Sequence, residues 1–170
     1  MLDPGDVAPL LMFFYGTLKR GERNHEHFCG GALRVEEAAV RGDLYDLPLF
    51  GYPALVVPDE SIYAFGTVDY AGDVEDQRRL GRGPVRPPEG ARAFGEVFAF
   101  DDPGSRLPAI DRLEGFDPAE ASSHYRRALL PVETREGSVT LAWAYVVKKS
   151  SGVYVPEGIW PPESGFQKSF

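Results

Sequence analysis

The chain consists mainly of short apolar runs separated by turn residues, a pattern typical of strands. Residues 11–15 form a continuous apolar run that ends at Gly16, and this run predicts a buried strand. Residues 125–133 and 139–147 are expected to pair as an antiparallel hairpin across the Glu136-Gly137 turn. Further strands are predicted at residues 39–47, 54–57, 62–70 and 94–100. The pattern therefore favours a fold in which strands outnumber helices.

Helical signals are fewer. Residues 106–113 place apolar side chains three positions apart and carry a proline in the first turn, where its missing N–H costs little. Gly115 follows as the expected C-terminal cap of this helix. Residues 24–32 and 74–80 predict two further short helices.

Composition adds a long turn-rich segment to this picture. Glycine and proline make up a fifth of the 170 residues, against roughly an eighth in ordinary domains. We expect one domain over residues 1–170, with a Gly/Pro/charge-rich insertion at about 59–93. Within it, residues 69–93 are expected to contribute little to the core and to be partly mobile. A C-terminal tail at about 150–170 is expected to dock on the domain. Its large apolar side chains are Tyr154, Ile159, Trp160 and Phe166.

The charge balance excludes several classes of partner. The net charge of −8 leaves no basic surface for nucleic acid or for an anionic membrane. Cys29 is the only cysteine, so the chain has no internal disulfide, and a reducing, cytoplasmic setting is the natural interpretation. The apolar run 7–15 lacks the basic start and small-residue cleavage site of a signal peptide. It is also too short to span a bilayer.

A candidate anion-binding loop follows the first predicted strand. In Tyr15-Gly16-Thr17-Leu18, the glycine allows successive backbone N–H groups to point into one concavity that could hold a carboxylate or phosphate. The alternative is an ordinary turn from strand to loop. The glycine-rich motifs typical of nucleotide binding are absent from the sequence.

Glu114 is the candidate acid/base. It stands at the end of the predicted helix 106–113, where the helix dipole disfavours a negative charge, and the apolar Leu113 and Phe116 flank it. If buried, its carboxyl group would have a raised pKa suited to proton transfer. A solvated glutamate at a helix end is the alternative. Asp111 is expected to pair with an arginine or to cap a turn.

A second candidate site comprises His25, His27 and Cys29. On a strand, these alternate residues would share a face and could hold zinc. A nucleophile formed by Cys29 and a histidine is also conceivable. Neither spacing matches an established motif, and no fourth metal ligand is evident, so this hypothesis ranks below the Glu114 site.

Several sequence blocks resemble the γ-glutamyl cyclotransferase-like family, in particular its γ-glutamylamine cyclotransferase and AIG2-like branch. They are Tyr-Gly-Thr-Leu at 15–18, Gly-Tyr-Pro at 51–53, Leu-Glu-Gly-Phe at 113–116 and Tyr-Arg-Arg at 125–127. The blocks occur in the family's order. The family usually has a short turn where this chain has residues 59–93, and this difference bears on substrate choice more than on fold.

The resemblance implies an α+β fold, a small mixed β-barrel with a few flanking helices. It also implies an enzyme that converts a γ-glutamyl amine or amide to 5-oxoproline and a free amine, without cofactor or metal. Glu114 would be the catalytic acid/base. Substrate would be bound by Tyr15, Gly16, Thr17, Leu18 and Tyr125.

This activity suits the residues present, because the nucleophile is the α-amine of the substrate itself. No serine, cysteine or metal is needed, and holding the substrate folded supplies proximity. The alternative is a catalytically silent domain of the same fold that binds a small molecule or a protein. The sequence determines neither the leaving amine nor the oligomeric state.

Overall fold

The computed structural model describes residues 9–120 and 122–162, and these contain nine strands and three helices. The strands are β1 (Leu10–Phe14), β2 (Arg34–Arg41), β3 (Asp43–Leu47), β4 (Tyr52–Val56), β5 (Ala64–Phe65), β6 (Arg92–Phe100), β7 (Arg126–Thr134), β8 (Val139–Val146) and β9 (Val153–Tyr154). The helices are α1 (His25–Cys29), α2 (Tyr70–Gly81) and α3 (Pro103–Leu113).

Five strands close into a barrel. They are hydrogen-bonded in the order β2-β6-β1-β8-β7, and β7 pairs back to β2. The β1–β8 pair is parallel and the other pairs are antiparallel, so the barrel is mixed. A separate sheet has the order β4-β3-β9. The expected α+β fold, a small mixed β-barrel with a few helices, is confirmed.

Alternation along the strands produces two apolar clusters. On β8, Trp143 and Tyr145 pack in the cluster that contains residues of α2 and α3, whereas Ala142 and Ala144 belong to the other cluster. Successive side chains of a strand point to opposite faces. The large residues therefore face the helices, and the alanines lie on the opposite, inner face of the barrel wall.

The predicted hairpin and the principal predicted helix are both present. β7 and β8 pair across the turn that contains Gly137. Helix α3 starts three residues before the predicted segment, at Pro103, and ends at Leu113. Gly115 has a φ of 70°, the left-handed conformation expected of a helix-terminating glycine.

Two strand predictions are wrong in extent. The predicted strand 39–47 is two strands, β2 and β3, which are separated at Gly42. The predicted strand 62–70 is reduced to the two residues of β5, because Asp69 caps a helix where a strand was expected to continue. The carboxylate of Asp69 accepts a hydrogen bond from the N–H of Gly72.

The first half of the Gly/Pro/charge-rich segment packs against the barrel. Helix α2 begins four residues before the predicted helix 74–80, and Asp73, Val74 and Gln77 are buried. The amide of Gln77 accepts from the N–H of Leu11 and donates to the carbonyl of Pro9. The expectation that this segment contributes little to the core is therefore wrong for α2. Residues 82–91 are irregular and largely exposed.

The described part of the C-terminal segment contacts the β3–β4 sheet. Strand β9 pairs with β3, and Trp160 is buried with its indole N–H donating to Asp46. Tyr154 and Ile159 remain about half exposed. Phe166 lies outside the described residues. None of the helices in residues 9–120 and 122–162 is long and apolar enough to cross a membrane.

Candidate active site

A small cavity lies where β1 ends and meets the C-terminal end of α3. Its volume is about 30 Å³. The residues that line it are Phe13, Phe14, Tyr15, Gly16, Thr17, Leu18, Tyr52, Pro53, Glu114 and Tyr145. The structure thus brings the loop after β1 and Glu114, which are separated by about a hundred positions in the sequence, to one cavity.

The loop presents unpaired backbone donors. Within residues 9–120 and 122–162, the N–H groups of Gly16, Thr17 and Leu18 have no hydrogen-bond acceptor. Asn24 fixes the loop, since its side chain donates to the Thr17 hydroxyl over 2.9 Å and its own N–H donates to the Thr17 carbonyl. A loop with free N–H groups at a cavity can bind a carboxylate or polarise a carbonyl oxygen.

Gly16 is required by close packing. A Cβ atom at this position would lie 2.8 Å from Cγ and Cδ of Pro53, closer than side-chain carbons approach one another. The φ of Gly16 is not positive, so the need for glycine here comes from the approach of Pro53 and not from backbone conformation. The Gly-Tyr-Pro turn therefore forms a wall of the cavity against the loop.

Glu114 is a partly buried carboxylate that carries no ion pair among the described residues. Burial raises its pKa to about 7, and the neighbouring negative charge of Asp111 adds to the effect. The residue immediately follows α3, and its N–H continues the helical pattern by donating to the carbonyl of Ile110. A carboxyl group with this pKa can both accept and donate a proton near neutrality.

Three tyrosines, Tyr15, Tyr125 and Tyr145, have Glu114 as a charged neighbour. The hydroxyl of Tyr15 donates to the carbonyl of Tyr145 over 2.5 Å, which joins the end of β1 to β8. The hydroxyl of Tyr125 donates to the carbonyl of Pro53 over 2.7 Å, and its ring contacts Tyr52. Burial, with the charge of Glu114 contributing, raises the pKa of Tyr15 and Tyr125, so both hydroxyls stay protonated. Tyr125 therefore stands behind the Tyr52-Pro53 wall.

A buried ion triad, formed by Asp73, Arg127 and Asp111, lies behind the cavity. Arg127 is fully buried and donates two hydrogen bonds to Asp111, over 2.9 and 3.2 Å, and one to Asp73 over 2.9 Å. The hydroxyl of Tyr145 also donates to Asp111, over 2.5 Å. Burial raises the pKa of Asp111, although Arg127 and Tyr145 oppose the effect.

Sequence reasoning anticipated only part of this arrangement. An arginine partner was expected for Asp111, and Arg127 is that partner. Asp73 and Tyr145 were not identified as site residues. A hydroxyl within the apolar run of β8 was the available signal for Tyr145. No local signal marked Asp73, because its partners lie in distant parts of the chain.

The His25, His27 and Cys29 cluster does not assemble as the strand hypothesis required. These residues lie on helix α1, where alternate positions do not share a face. In the part of the chain that the structure describes, no group of three or more His, Cys, Asp or Glu side chains could hold a metal ion. Burial raises the pKa of Cys29 to about 12, which opposes formation of a thiolate nucleophile.

A larger cavity, of about 530 Å³, lies on another face of the barrel. Its charged walls are neutralised by three ion pairs, which are Arg20–Glu96, Arg92–Glu133 and Arg135–Glu37. Each of the three glutamates that line it belongs to one of these ion pairs. The smaller cavity combines free backbone donors with a carboxyl group of raised pKa that has no ion pair among the described residues, so we assign the candidate active site to it.

Comparison with known families identifies the class of protein. The family model described as gamma-glutamyl cyclotransferase, AIG2-like, matches residues 12–82 and 74–162. The chain therefore belongs to the γ-glutamyl cyclotransferase, AIG2-like family. A search of curated proteins found no match.

Solved structures share the fold. YkqA from Bacillus subtilis is 23% identical with a TM-score of 0.56, and the alignment covers 95% of this chain but 43% of YkqA. This chain thus spans less than half the length of YkqA. The protein PH0828 from Pyrococcus horikoshii is 18% identical with a TM-score of 0.54, over 94% of this chain and 96% of that one. An AIG2-like protein from Mus musculus is 19% identical with a TM-score of 0.52, over 85% and 81%.

Proposed function

We propose that the protein is a γ-glutamyl cyclotransferase that converts a γ-glutamyl amine or amide to 5-oxoproline and a free amine, with Glu114 as general acid/base. The proposal rests on one observation above all. A carboxyl group with a pKa of about 7 lies in the same cavity as the three free N–H groups of Gly16, Thr17 and Leu18. Family membership supports the same class of reaction.

The reaction requires one proton acceptor that becomes a donor. Glu114 as carboxylate takes a proton from the α-ammonium of the substrate, and the freed amine attacks the γ-carbonyl carbon. A C–N bond forms and closes a five-membered lactam, while the C–N bond to the leaving amine breaks. Glu114 returns this proton to the leaving nitrogen and takes the second proton of the attacking nitrogen, so the ring closes as a neutral lactam. That second proton passes to the released amine, which leaves as an ammonium ion, and Glu114 is again a carboxylate, so charge and protons balance over the cycle.

The loop supplies binding and polarisation. The N–H groups of Gly16, Thr17 and Leu18 donate to the α-carboxylate of the substrate or to its developing γ-oxyanion. Holding both ends of the glutamyl chain at one cavity brings the amine to its own carbonyl. Tyr15, Leu18 and Tyr145 form walls that exclude water around the reacting atoms.

The cavity is smaller than a glutamyl group. A volume of about 30 Å³ is close to that of one or two water molecules. A bound substrate must therefore extend beyond the cavity or displace part of its rim. Tyr52 and Pro53 form the wall that faces the loop, and Pro53 contacts Gly16 closely. We expect this wall to move on binding.

The proposal is tested by measuring 5-oxoproline release from a panel of γ-glutamyl compounds that includes γ-glutamyl-alkylamines, N-ε-γ-glutamyl-lysine and γ-glutamyl dipeptides. Glu114→Gln should lower turnover at least about 100-fold, because the amide cannot accept the ammonium proton. The matched control is Glu120→Gln, which removes an exposed carboxylate a few residues away and should leave turnover unchanged.

Two outcomes would contradict the proposal. Normal turnover by folded Glu114→Gln would exclude the assigned role of Glu114. The absence of 5-oxoproline from every compound, together with saturable binding of a γ-glutamyl compound, would instead identify a catalytically silent binding domain.

A further inference from the structure

Helix α2 contributes a charged side chain to the interior beside the candidate site. The carboxylate of Asp73 is 1% exposed. It accepts hydrogen bonds from the Thr67 N–H and hydroxyl, each over 2.8 Å, and from Arg127 over 2.9 Å. A carboxylate held by three donors in a buried position is fixed in place.

From Asp73, a continuous chain of hydrogen bonds reaches the cavity. Arg127 bonds both Asp73 and Asp111, Asp111 accepts from the Tyr145 hydroxyl, and the Tyr145 carbonyl accepts from Tyr15. Tyr145 and Tyr15 line the cavity that contains Glu114. The chain therefore runs from a helix on one side of the barrel to the walls of the site.

The charges of the buried ion triad do not cancel. Its two carboxylates and one guanidinium leave a net charge of −1 close to Glu114. The other ionisable groups around this cavity are tyrosine hydroxyls. They belong to Tyr15 at the end of β1, Tyr52 on β4, Tyr125 beside β7 and Tyr145 on β8. Asp111 is the member of the triad whose charge raises the pKa of Glu114, and Arg127 and Asp73 are joined to it by hydrogen bonds.

We propose that Asp73 is a positioning residue for the proposed reaction, acting through Arg127 and Asp111 to hold Tyr145 in the cavity wall and to keep a net negative charge beside Glu114. The inference rests on the proposed function of Glu114 and extends it to α2. By this account helix α2, which lies in the long segment between β4 and β6, helps to position the residues of the site.

Asp73→Asn tests the charge with little change of shape. The amide oxygen can still accept from the Thr67 N–H and from Arg127, and the amide nitrogen can donate to the Thr67 hydroxyl. The charge beside Glu114 changes from −1 to zero, so the ionised form of Glu114 becomes easier to reach. We therefore expect the pKa of Glu114 to fall below about 7.

The experiment follows the titration of Glu114 by NMR in protein labelled at the glutamate δ-carbon, with Glu114→Gln identifying the signal. This readout works whether or not the protein is an enzyme. With γ-glutamyl substrates, the acid limb of kcat/KM should move to lower pH by the same amount, because the carboxylate form is the one that accepts the proton. The control is Asp76→Asn, which removes an exposed charge from α2 and should move neither.

Arg127→Gln gives an independent test. It removes the cation and leaves both carboxylates, so the Glu114 pKa should not fall as it does in Asp73→Asn. If only one of the two variants folds, its result decides the proposal. An unchanged Glu114 titration in folded Asp73→Asn, or a lowered Glu114 pKa in folded Arg127→Gln, would overturn the proposal and leave Asp73 a purely structural role. If the Glu114 titration shifts as expected but no 5-oxoproline forms, the result supports the role of Asp73 in setting the charge beside Glu114. The same result contradicts the proposed function.

Discussion

Two kinds of buried charge lie side by side at the end of α3. The buried ion triad gives each carboxylate a cation and several hydrogen bonds. Glu114 follows Asp111 by only three positions, yet no ion pair involves it among the described residues. The paired carboxylates stabilise the packing of α2 and α3 on the barrel. The unpaired one has a pKa of about 7.

Asp111 and Glu114 are three positions apart, yet one has a cationic partner and the other has none among the described residues. In the triad, Arg127 opposes the rise in the Asp111 pKa that burial causes. Glu114 has no such cation, so burial raises its pKa to about 7, and the folded state becomes less stable when Glu114 ionises.

The largest expected effect comes from breaking the triad. Arg127→Met would leave Asp73 and Asp111 buried without their cation, and we expect a loss of about 3–5 kcal/mol in the free energy of unfolding. Urea denaturation at pH 7 measures it. The neighbouring Arg126→Met is the control, since Arg126 stacks on the ring of Phe65 at the surface and has no carboxylate partner in the described part of the chain. A loss below about 1 kcal/mol for Arg127→Met would show that the triad is not a major source of stability.

A smaller effect, and a gain in stability instead of a loss, is expected when Glu114 is replaced. Its folded pKa of about 7 lies above the ordinary value of 4.5, so the folded state binds more protons between these two pH values. Stability from the protonated group is therefore present at low pH and is lost as pH rises through 7. Glu114→Gln, which cannot ionise, should be as stable as the parent at pH 4 and more stable by about 3 kcal/mol at pH 8.

Denaturation curves at several pH values measure this difference. The control is Glu120→Gln, which replaces an exposed side chain and should leave the stability close to that of the parent. A difference for Glu114→Gln that stays constant from pH 4 to pH 8 would contradict the raised pKa. A gain in stability together with a loss of turnover would confirm that function is maintained at the expense of stability.

Local patterns were sufficient to predict the parts of the fold that local physics determines. The hairpin of β7 and β8 follows from alternating apolar residues around a turn, and α3 follows from three-residue spacing and a glycine cap. Glu114 was found because it ends that helix and because its sequence block resembles a family motif. That Glu114 shares a cavity with the loop after β1 could be seen only in the three-dimensional structure.

The triad could not be predicted, because it depends on long-range packing. Asp73 and Arg127 are 54 positions apart, and no spacing rule connects them. The insertion was expected to leave the core because it carries few large apolar residues. Helix α2 packs instead through a buried ion pair and the amide of Gln77, with Asp69 as its N-terminal cap. Polar groups attach this helix to the barrel, so a count of apolar residues underestimates its packing.

Replacing Tyr125 tests whether its hydrogen bond to the Tyr52-Pro53 wall affects stability and turnover. Tyr125→Phe removes the hydrogen bond to the carbonyl of Pro53 and leaves that acceptor unpaired, so we expect a loss of about 1 kcal/mol in stability. Turnover should fall less than about tenfold, because the hydroxyl holds the wall and does not line the cavity. Thermal denaturation and 5-oxoproline release measure the two effects. A fall in turnover as large as that of Glu114→Gln would show instead that Tyr125 contacts the substrate.

The smallest effect is expected for an ion pair at the surface, which completes the comparison of buried with exposed charge. Arg135 and Glu37 are 2.8 Å apart, with side chains that are 81% and 58% exposed. Water already solvates both groups and salt screens their attraction, so their distance alone does not predict stability. Arg135→Gln should change the Tm by less than about 2 °C at 0.15 M salt. A larger change would contradict this expectation. It would show that the short distance between the two charged groups, and not their burial, determines how much an ion pair stabilises this protein.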